Sequence, residues 1–255
     1  MTHIARFRLL RAAAAAGALC LGLVCLLLGT SGAGADSADR AILVLTVHGP
    51  ITPSTAEYIE LGFGHGRDID AAMVIIEMDT PGGLDKSMRS INRQILNSPI
   101  PVAVYVSPSG ARAASAGTFI TLAADVAAMA PGTTIGAAHP VSLVGKQDET
   151  MNEKVVNDSA AYIRSLAERG GRNADWAEKA VRESVSLTEK EALEEGVIDL
   201  VAADLDDLLR SIEGREVSTP GGKVTLTTEG RRLERYSMDF RRRFLDTLAD
   251  PNIAY

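Results

Sequence analysis

The sequence predicts an α/β protein, a mostly parallel β-sheet with flanking helices. Three observations point to it. Short aliphatic runs of strand length alternate with longer segments in which apolar residues recur every three or four positions. Aromatics are only 4% of the chain, so the core must come from Ala, Val, Ile and Leu, the residues of strands buried on both faces. Two glycine-bearing corners, "DTPGG" and "SGARAASAG", each follow a predicted strand and open a helix.

Taken in chain order, "AILVLTV" at residues 41–47 is a buried strand closed by Gly49-Pro50. Residues 52–62 form an amphipathic helix, with Thr52 as cap and Pro53 at its first position. "AAMVIIEM" at 71–78 is a second strand and runs into the first corner. Over 84–97 apolar residues fall at 84, 88, 91, 95 and 96, a helical period. "PVAVYV" at 101–106 is the third strand; the second corner and a small-residue helix to about Ala124 follow it. "VAAMA" at 126–130 is a fourth strand, closed by Pro131-Gly132. Residues 141–149 are polar and read as a mobile loop. A helix over 152–169 stops at Gly170-Gly171. In "LTEKEALEEG" Thr188 caps a helix and Gly196 ends it. "VIDLVA" is the last strand and "LDDLLRSI" a short helix.

After about Arg215 the character changes. "VSTPGGKVTLTTEG" reads as an exposed hairpin or linker. Over 231–250, Leu233, Tyr236, Phe240, Phe244 and Leu248 recur at spacings of three and four, with arginines mostly elsewhere. That spacing predicts a basic amphipathic helix, either docked on its own domain or laid on a membrane surface or partner.

At the N-terminus, Arg6, Arg8 and Arg11 precede an apolar run over 12–28, and Ala33-Gly34-Ala35 is an A-x-A site. Residues 1–35 are therefore expected to be a secretory signal peptide, with an uncleaved anchor helix as the alternative. The protein is then exported, to the periplasm or the extracytoplasmic face of a membrane. Loss of the three arginines would change the formal charge from −7 to about −10, so nucleic acid is not an expected partner. Both cysteines, Cys20 and Cys25, lie in that segment, which removes disulfides, a thiol nucleophile and cysteine metal sites together. His3, His48, His65 and His139 have no zinc-motif spacing, and no metal or cofactor is expected. The chain thus divides into the signal segment, a domain over 36–215 and a tail over 216–255.

Open parallel sheets bind ligands beyond the carboxyl ends of their strands, so both corners are expected to face one crevice. Helix N-termini supply free amides and partial positive charge, the parts of an oxyanion hole. Ser115 stands alone among small residues in "ARAASAGTFI". It is either a nucleophile whose backbone approaches a substrate or a serine filling space at a close helix contact. As a nucleophile it needs a base. Lys154 serves only if burial in apolar surroundings keeps it neutral. His139, in "IGAAHPV", needs no such tuning. Residue chemistry leaves both open. Gly82 and Gly83 make a turn with or without an oxyanion role. Lys146 and the acids of "LTEKEALEEG" read as solvated, and Asp199 is either a third catalytic member or the polar edge of a strand.

The motifs "EMDTPGGLDKSMRSINRQILNSPIPVAVYV", "ARAASAGTFI", "PGTTIGAAHPV" and "EKVVNDSAAYIRSLAE", in that order, resemble the NfeD family. Its members are membrane-associated serine proteases of the Clp-protease/crotonase fold class. The likeness runs over residues 41–209. It implies stacked ββα units, with Ser115 as nucleophile and Lys154 as base of a Ser–Lys dyad. The backbone amides of Gly83 and Ala116 match the family's oxyanion hole. His139 falls near the place of the catalytic histidine in Clp proteases. The implied substrates are apolar polypeptide segments, including the hydrophobic C-terminal region of stomatin-like membrane proteins, and the implied assembly is a homo-oligomer. "FLDTLADPNIAY" resembles the segment leading into the membrane helices of long family members, so the chain is expected to be a truncated form, a fragment or half of a split system. The rival readings are a crotonase-type acyl-CoA enzyme, a signal-peptide-peptidase-like protease and a non-catalytic scaffold that holds a membrane partner through residues 231–255.

Overall fold

The computed structural model describes residues 40–141 and 148–237. In chain order its elements are β1 (Ile42–His48), α1 (Pro53–Asp68), β2 (Met73–Asp79), α2 (Asp85–Leu96), β3 (Val102–Val106), β4 (Arg112–Ala114) and α3 (Ala116–Ala123). They continue with β5 (Val126–Met129), β6 (Thr134–Gly136), α4 (Glu149–Arg169), α5 (Ala174–Arg182), β7 (Ser186–Thr188), α6 (Glu189–Glu194) and β8 (Leu200–Val201). The last are α7 (Leu205–Ile212), β9 (Glu216–Thr219), β10 (Gly222–Thr225) and β11 (Leu233–Tyr236). The predicted signal segment and Lys146 lie outside the described residues.

The central sheet runs β11-β1-β2-β3-β5-β8, with every neighbouring pair parallel. Successive side chains on a strand point to opposite faces, and here both faces are covered. Ile42, Val44, Met73, Ile75 and Tyr105 pack on one side with Leu208 and Ile212 of α7 and Val217 of the β9–β10 hairpin. Leu43, Leu45, Val74, Ile76 and Val104 pack on the other with Ile59, Phe63, Ile91, Phe119, Ile163 and Trp176 from α1 to α5. Burial on both sides explains the unbroken aliphatic runs. Each such side chain contributes about 1.5–3 kcal/mol on leaving water.

Local signals set most helix starts. Thr52 and Thr55 form a reciprocal capping box ahead of Pro53. Thr188 and Glu191 form another at α6. Helix α1 continues past Gly62, where the sequence reading ends it, to Asp68. Gly62 is a packing residue: a Cβ there would lie 2.6 Å from Leu45 Cδ2, so its lack of side chain lets the helix settle on the sheet.

A second, smaller layer was not legible in the sequence. Strands β4, β6 and β7 form a three-stranded sheet. Two isolated bridges, Thr80 with Ala113 and Ile51 with Gly83, stitch the loops after β2, β3 and β1 to one another. This layer crosses the carboxyl ends of the central strands and carries both glycine corners.

The tail corrects one expectation. The β9–β10 hairpin is present, but residues 233–236 are a strand paired parallel to β1, not the start of a helix. The spacing of three between Leu233 and Tyr236 also suits a strand whose two faces are both buried. Leu233 packs on the α7 side of the sheet and Tyr236 on the α1 side. The rest of that predicted helix, from residue 238, lies outside the described residues.

Asp199 is structural. It accepts from Arg172 Nη2 at 2.6 Å, Arg215 Nη2 at 2.8 Å and the Ala127 amide at 2.7 Å. Arg172, 6% exposed, also donates to the Leu122 and Ala124 carbonyls at the carboxyl end of α3, where a cation is favoured by the helix dipole. Breaking a buried ion pair from one side leaves an uncompensated charge. Here Arg172→Met leaves Asp199 its Arg215 and Ala127 partners but strips the Leu122 and Ala124 carbonyls of a donor, and is expected to lower unfolding stability by about 1–3 kcal/mol in urea titration.

Candidate active site

Ser115 sits at the junction of β4 and α3, at the N-cap of the helix, with φ 52° and ψ −114°. A serine at an N-cap is ordinarily extended and turns its hydroxyl onto an amide of the first turn. At positive φ it cannot, and its side chain makes no capping hydrogen bond. Among the described residues nothing bonds the Ser115 hydroxyl, and the residue is half-buried. A non-glycine residue in such a conformation costs on the order of 1–3 kcal/mol and persists only where its surroundings dictate it. The Ser115 amide donates to the Gly136 carbonyl at 2.9 Å. Thr118, buried one turn into α3, donates its hydroxyl to the Ala113 and Gly136 carbonyls, both at 2.9 Å. The Ala114 amide donates to the Thr80 carbonyl at 3.1 Å. This is a strand–turn–helix elbow that presents a free hydroxyl.

The first corner lies directly against it. A Cβ on Gly82 would stand 2.6 Å from Ser115 Cβ and 3.1 Å from its Oγ, so only glycine fits there. The Thr80 hydroxyl accepts from the Gly82 amide at 3.1 Å, and Asp79 accepts from the Arg112 amide at 3.0 Å. Gly83 is gripped by Ile51: the Ile51 amide donates to the Gly82 carbonyl at 2.8 Å, and the Leu84 amide to the Ile51 carbonyl at 2.9 Å. In a parallel bridge of this register the central residue turns its own N–H and C=O the other way. The Gly83 amide therefore faces away from Ile51 on an exposed residue, with no acceptor among the described residues. Ala116 is the first residue of α3, so its amide is one of the donors the helix leaves unpaired.

The two candidate bases differ in setting. Lys154 is on the second turn of α4, the helix that packs on α3. The 100° step per residue puts it roughly opposite the buried stripe of Ala160, Ile163 and Ala167. Lys154 is exposed, so the apolar enclosure expected from the sequence is not present around it in the single chain. His139 is half-buried, and its Nδ1 lies 2.8 Å from the Val181 carbonyl. A carbonyl only accepts, so Nδ1 carries the proton and the neutral ring leaves Nε2 as an acceptor. Among the described residues neither Lys154 nor His139 bonds the Ser115 hydroxyl.

One cluster beside the corner went unnoticed in the sequence. Arg89 of α2 donates from Nε to both Asp85 oxygens, at 3.0 and 3.1 Å, and from Nη2 to Asp158 of α4 at 2.5 Å. Its guanidinium lies 4.4 Å from the Tyr162 ring centre, a cation–π contact. Burial opposes the Arg89 charge, but its Asp85 hydrogen bond and the Asp85 and Asp158 charges outweigh it and raise its pKa. The separations of four, from Asp85 to Arg89 and from Asp158 to Tyr162, were the only signal. Leu84, at the corner, and Met151 and Val155, on α4, are exposed apolar side chains. No three metal-ligating side chains cluster among the described residues, and none of their helices is long and apolar enough to cross a membrane.

The family model for the NfeD1b N-terminal domain matches residues 41–211. The chain is 40% identical over 223 residues to membrane-bound protease PH1510 of Pyrococcus horikoshii, across 86% of this chain and 50% of that protein. It is 31% identical over 143 residues to membrane protein NfeD1b of Bacillus subtilis, across 56% of this chain and 31% of that protein. It thus spans half or less of the length of these curated relatives. Among solved structures, a lysine-to-alanine mutant of the 1510-N membrane-bound stomatin-specific protease, in complex with a substrate peptide, matches with TM-score 0.77 and 37% identity, over 84% of this chain and 99% of that one. A serine-to-alanine mutant of the same protease matches with TM-score 0.73 and 38% identity, over 79% and 99%. ClpP1 from Listeria monocytogenes, with TM-score 0.54 and 20% identity over 65% of this chain and 94% of that one, shares the fold.

The grip of Ile51 on Gly83 makes a prediction. An added Cβ would fall on the Ile51 backbone, so Gly83→Ala should cost about 1–3 kcal/mol in urea unfolding. Gly64→Ala, on an open stretch of α1, should instead stabilise by about 0.5–1 kcal/mol.

Proposed function

The chain belongs to the NfeD1b N-terminal domain family, and from that premise we propose that it is a serine protease acting on extended, apolar polypeptide segments. The observation that carries the reading is the Ser115 elbow: a strained, unbonded hydroxyl pressed against Gly82, beside the outward-turned amide of Gly83. A stomatin-like membrane protein is the proposed substrate, since a relative in this family is described as a stomatin-specific protease. Membrane association of the whole protein is proposed on the same footing, because both curated relatives are described as membrane proteins.

In the proposed mechanism an apolar peptide lies across the corner, its side chains against Leu84, Met151 and Val155. Lys154 is the base. Its ammonium is exposed in the single chain, and a bound peptide that covers it disfavours the charged form. The neutral amine takes the Ser115 proton as the oxygen attacks the scissile carbonyl. The Gly83 and Ala116 amides receive the developing oxyanion, each donor worth about 3 kcal/mol in acyl transfer. Lys154 returns the proton to the leaving amine, leaving an acyl-enzyme. Water, deprotonated by the same amine, releases the acyl group and restores the serine. His139 is the second reading for the base, favoured by the Nδ1–H tautomer that leaves Nε2 free to accept.

Labelling with a fluorophosphonate probe and cleavage of an apolar peptide test these roles together. Ser115→Ala should abolish both. Lys154→Ala should slow acylation by about 10²–10⁴-fold, and His139→Ala should leave it within a few-fold of the parent. Labelling of Ser115→Ala at the parent rate would remove the serine from the reaction. Loss in His139→Ala with retention in Lys154→Ala would transfer the base to the histidine.

A further inference from the structure

We propose that Arg89 is a positioning residue for this chemistry: it holds the Asp158 carboxylate away from Lys154, one turn earlier on the same helix, so that the Lys154 amine can give up its proton. The inference rests on Lys154 being the base.

A helix brings residues four apart onto one face. Lys154 and Asp158 are four apart on α4 and both are exposed. Left to itself a carboxylate there stabilises the ammonium, which is the wrong form for a base. Arg89 intervenes from α2. Its Nη2 takes Asp158 Oδ2 at 2.5 Å while Nε is anchored on Asp85 and the guanidinium rests on Tyr162. The planar fork is held from two helices at once, which a lysine's single ammonium does not reproduce. The link also spans the two halves of the site, since α2 opens directly after the Gly83–Leu84 corner and α4 carries Lys154. The other charged residues of the opening turns of these helices are Glu149 and Glu153 on α4 and Asp85 and Lys86 on α2, while Arg182 of α5, itself bound to Glu178, reaches α4 at Asn157. Asp85 is bound by Arg89. His139, before α4, bonds the Val181 carbonyl. Asp158 is the carboxylate at the i+4 position, and Arg89 occupies it.

The sign follows. The base acts as the neutral amine, so the rate rises with pH through the amine's pKa. Freeing Asp158 raises that pKa and moves the acidic limb of the profile to higher pH. The experiment measures kcat for an apolar peptide, the quantity that reports groups in the peptide-bound enzyme, from pH 6 to 10 for the parent, Arg89→Met, Asp158→Asn, the double variant and Lys154→Ala, with thermal melts of each. Arg89→Met should move the limb up by roughly 0.15–0.4 unit, about a 1.4- to 2.5-fold loss on the acidic side. The double variant should return the limb to its parent position, and Asp158→Asn should leave it there or move it lower. An unmoved limb in Arg89→Met overturns the proposal, and so does a double variant displaced as far as Arg89→Met, because a purely structural role lowers the rate at every pH alike. Should Arg89→Met fail to fold, Arg89→Lys carries the same test. If Lys154→Ala keeps the parent profile, it is the base assignment that fails; if Lys154→Ala is inactive and the limb in Arg89→Met is unmoved, only the Arg89 proposal does.

Discussion

A single backbone constraint underlies the candidate site: Ser115 is held at positive φ between β4 and α3. That conformation turns the hydroxyl off its own helix and leaves the Ala116 amide without an acceptor among the described residues. It is unfavourable in isolation, and three elements maintain it. Gly136 on β6 accepts the Ser115 amide, Thr118 closes the first turn of α3, and Thr80 ties β4 to the end of β2. The bridges between these short segments lie across the tips of strands that are themselves buried on both faces. The large parallel sheet therefore acts as the rigid base on which a strained turn can be kept.

The backbone and side-chain halves of the site differ in character. Ser115, Gly82, Gly83 and Ala116 belong to hydrogen-bonded corners whose geometry leaves little freedom. Lys154 belongs to the first turns of α4, on a face turned to solvent. In water an ammonium is the stable form of a lysine. As the proposed base, Lys154 would depend on what covers it when a peptide is bound. The Arg89 bridge from α2 to α4 engages Asp158, the carboxylate one turn on from Lys154.

The central sheet was legible because the middles of its inner strands are buried on both faces and so read as plain aliphatic runs. Residues 42–48, 73–79, 102–106 and 126–129 all carried that signal. Capped helices were legible through Thr52 with Pro53 and through Thr188 with Glu191. The corners holding Gly83 and Ser115 stood out because each joins a strand end to a helix start. The small sheet of β4, β6 and β7 escaped notice because each of its strands has three residues, too few to show a period. The exposure of Lys154 was equally hidden: position near a helix start says nothing of which face packs. Tyr236 misled for a related reason. An interval of three from Leu233 suits one face of a helix or both faces of a buried strand, and only the sheet's second cover decides between them. Asp199 could not be assigned without knowing that Arg172 and Arg215 converge on it from distant segments.

The last described strand bears on mechanics. β11 lies parallel to β1 from Ile42–Leu233 to Leu45–Tyr236. The Tyr58 hydroxyl donates to the Tyr236 carbonyl at 2.7 Å, and the Tyr236 ring stacks on Tyr58 and His65. Tension applied to the backbone beyond Tyr236 acts along the strand axis. It loads the inter-strand bonds together, in shear, instead of peeling them one after another. The same tension reaches α1 through Tyr58, and α1 starts two residues after Ile51, whose backbone grips Gly83. A tether at this end of the domain would thus be borne by the strongest arrangement the sheet edge offers, and its strain would be felt at the glycine corner.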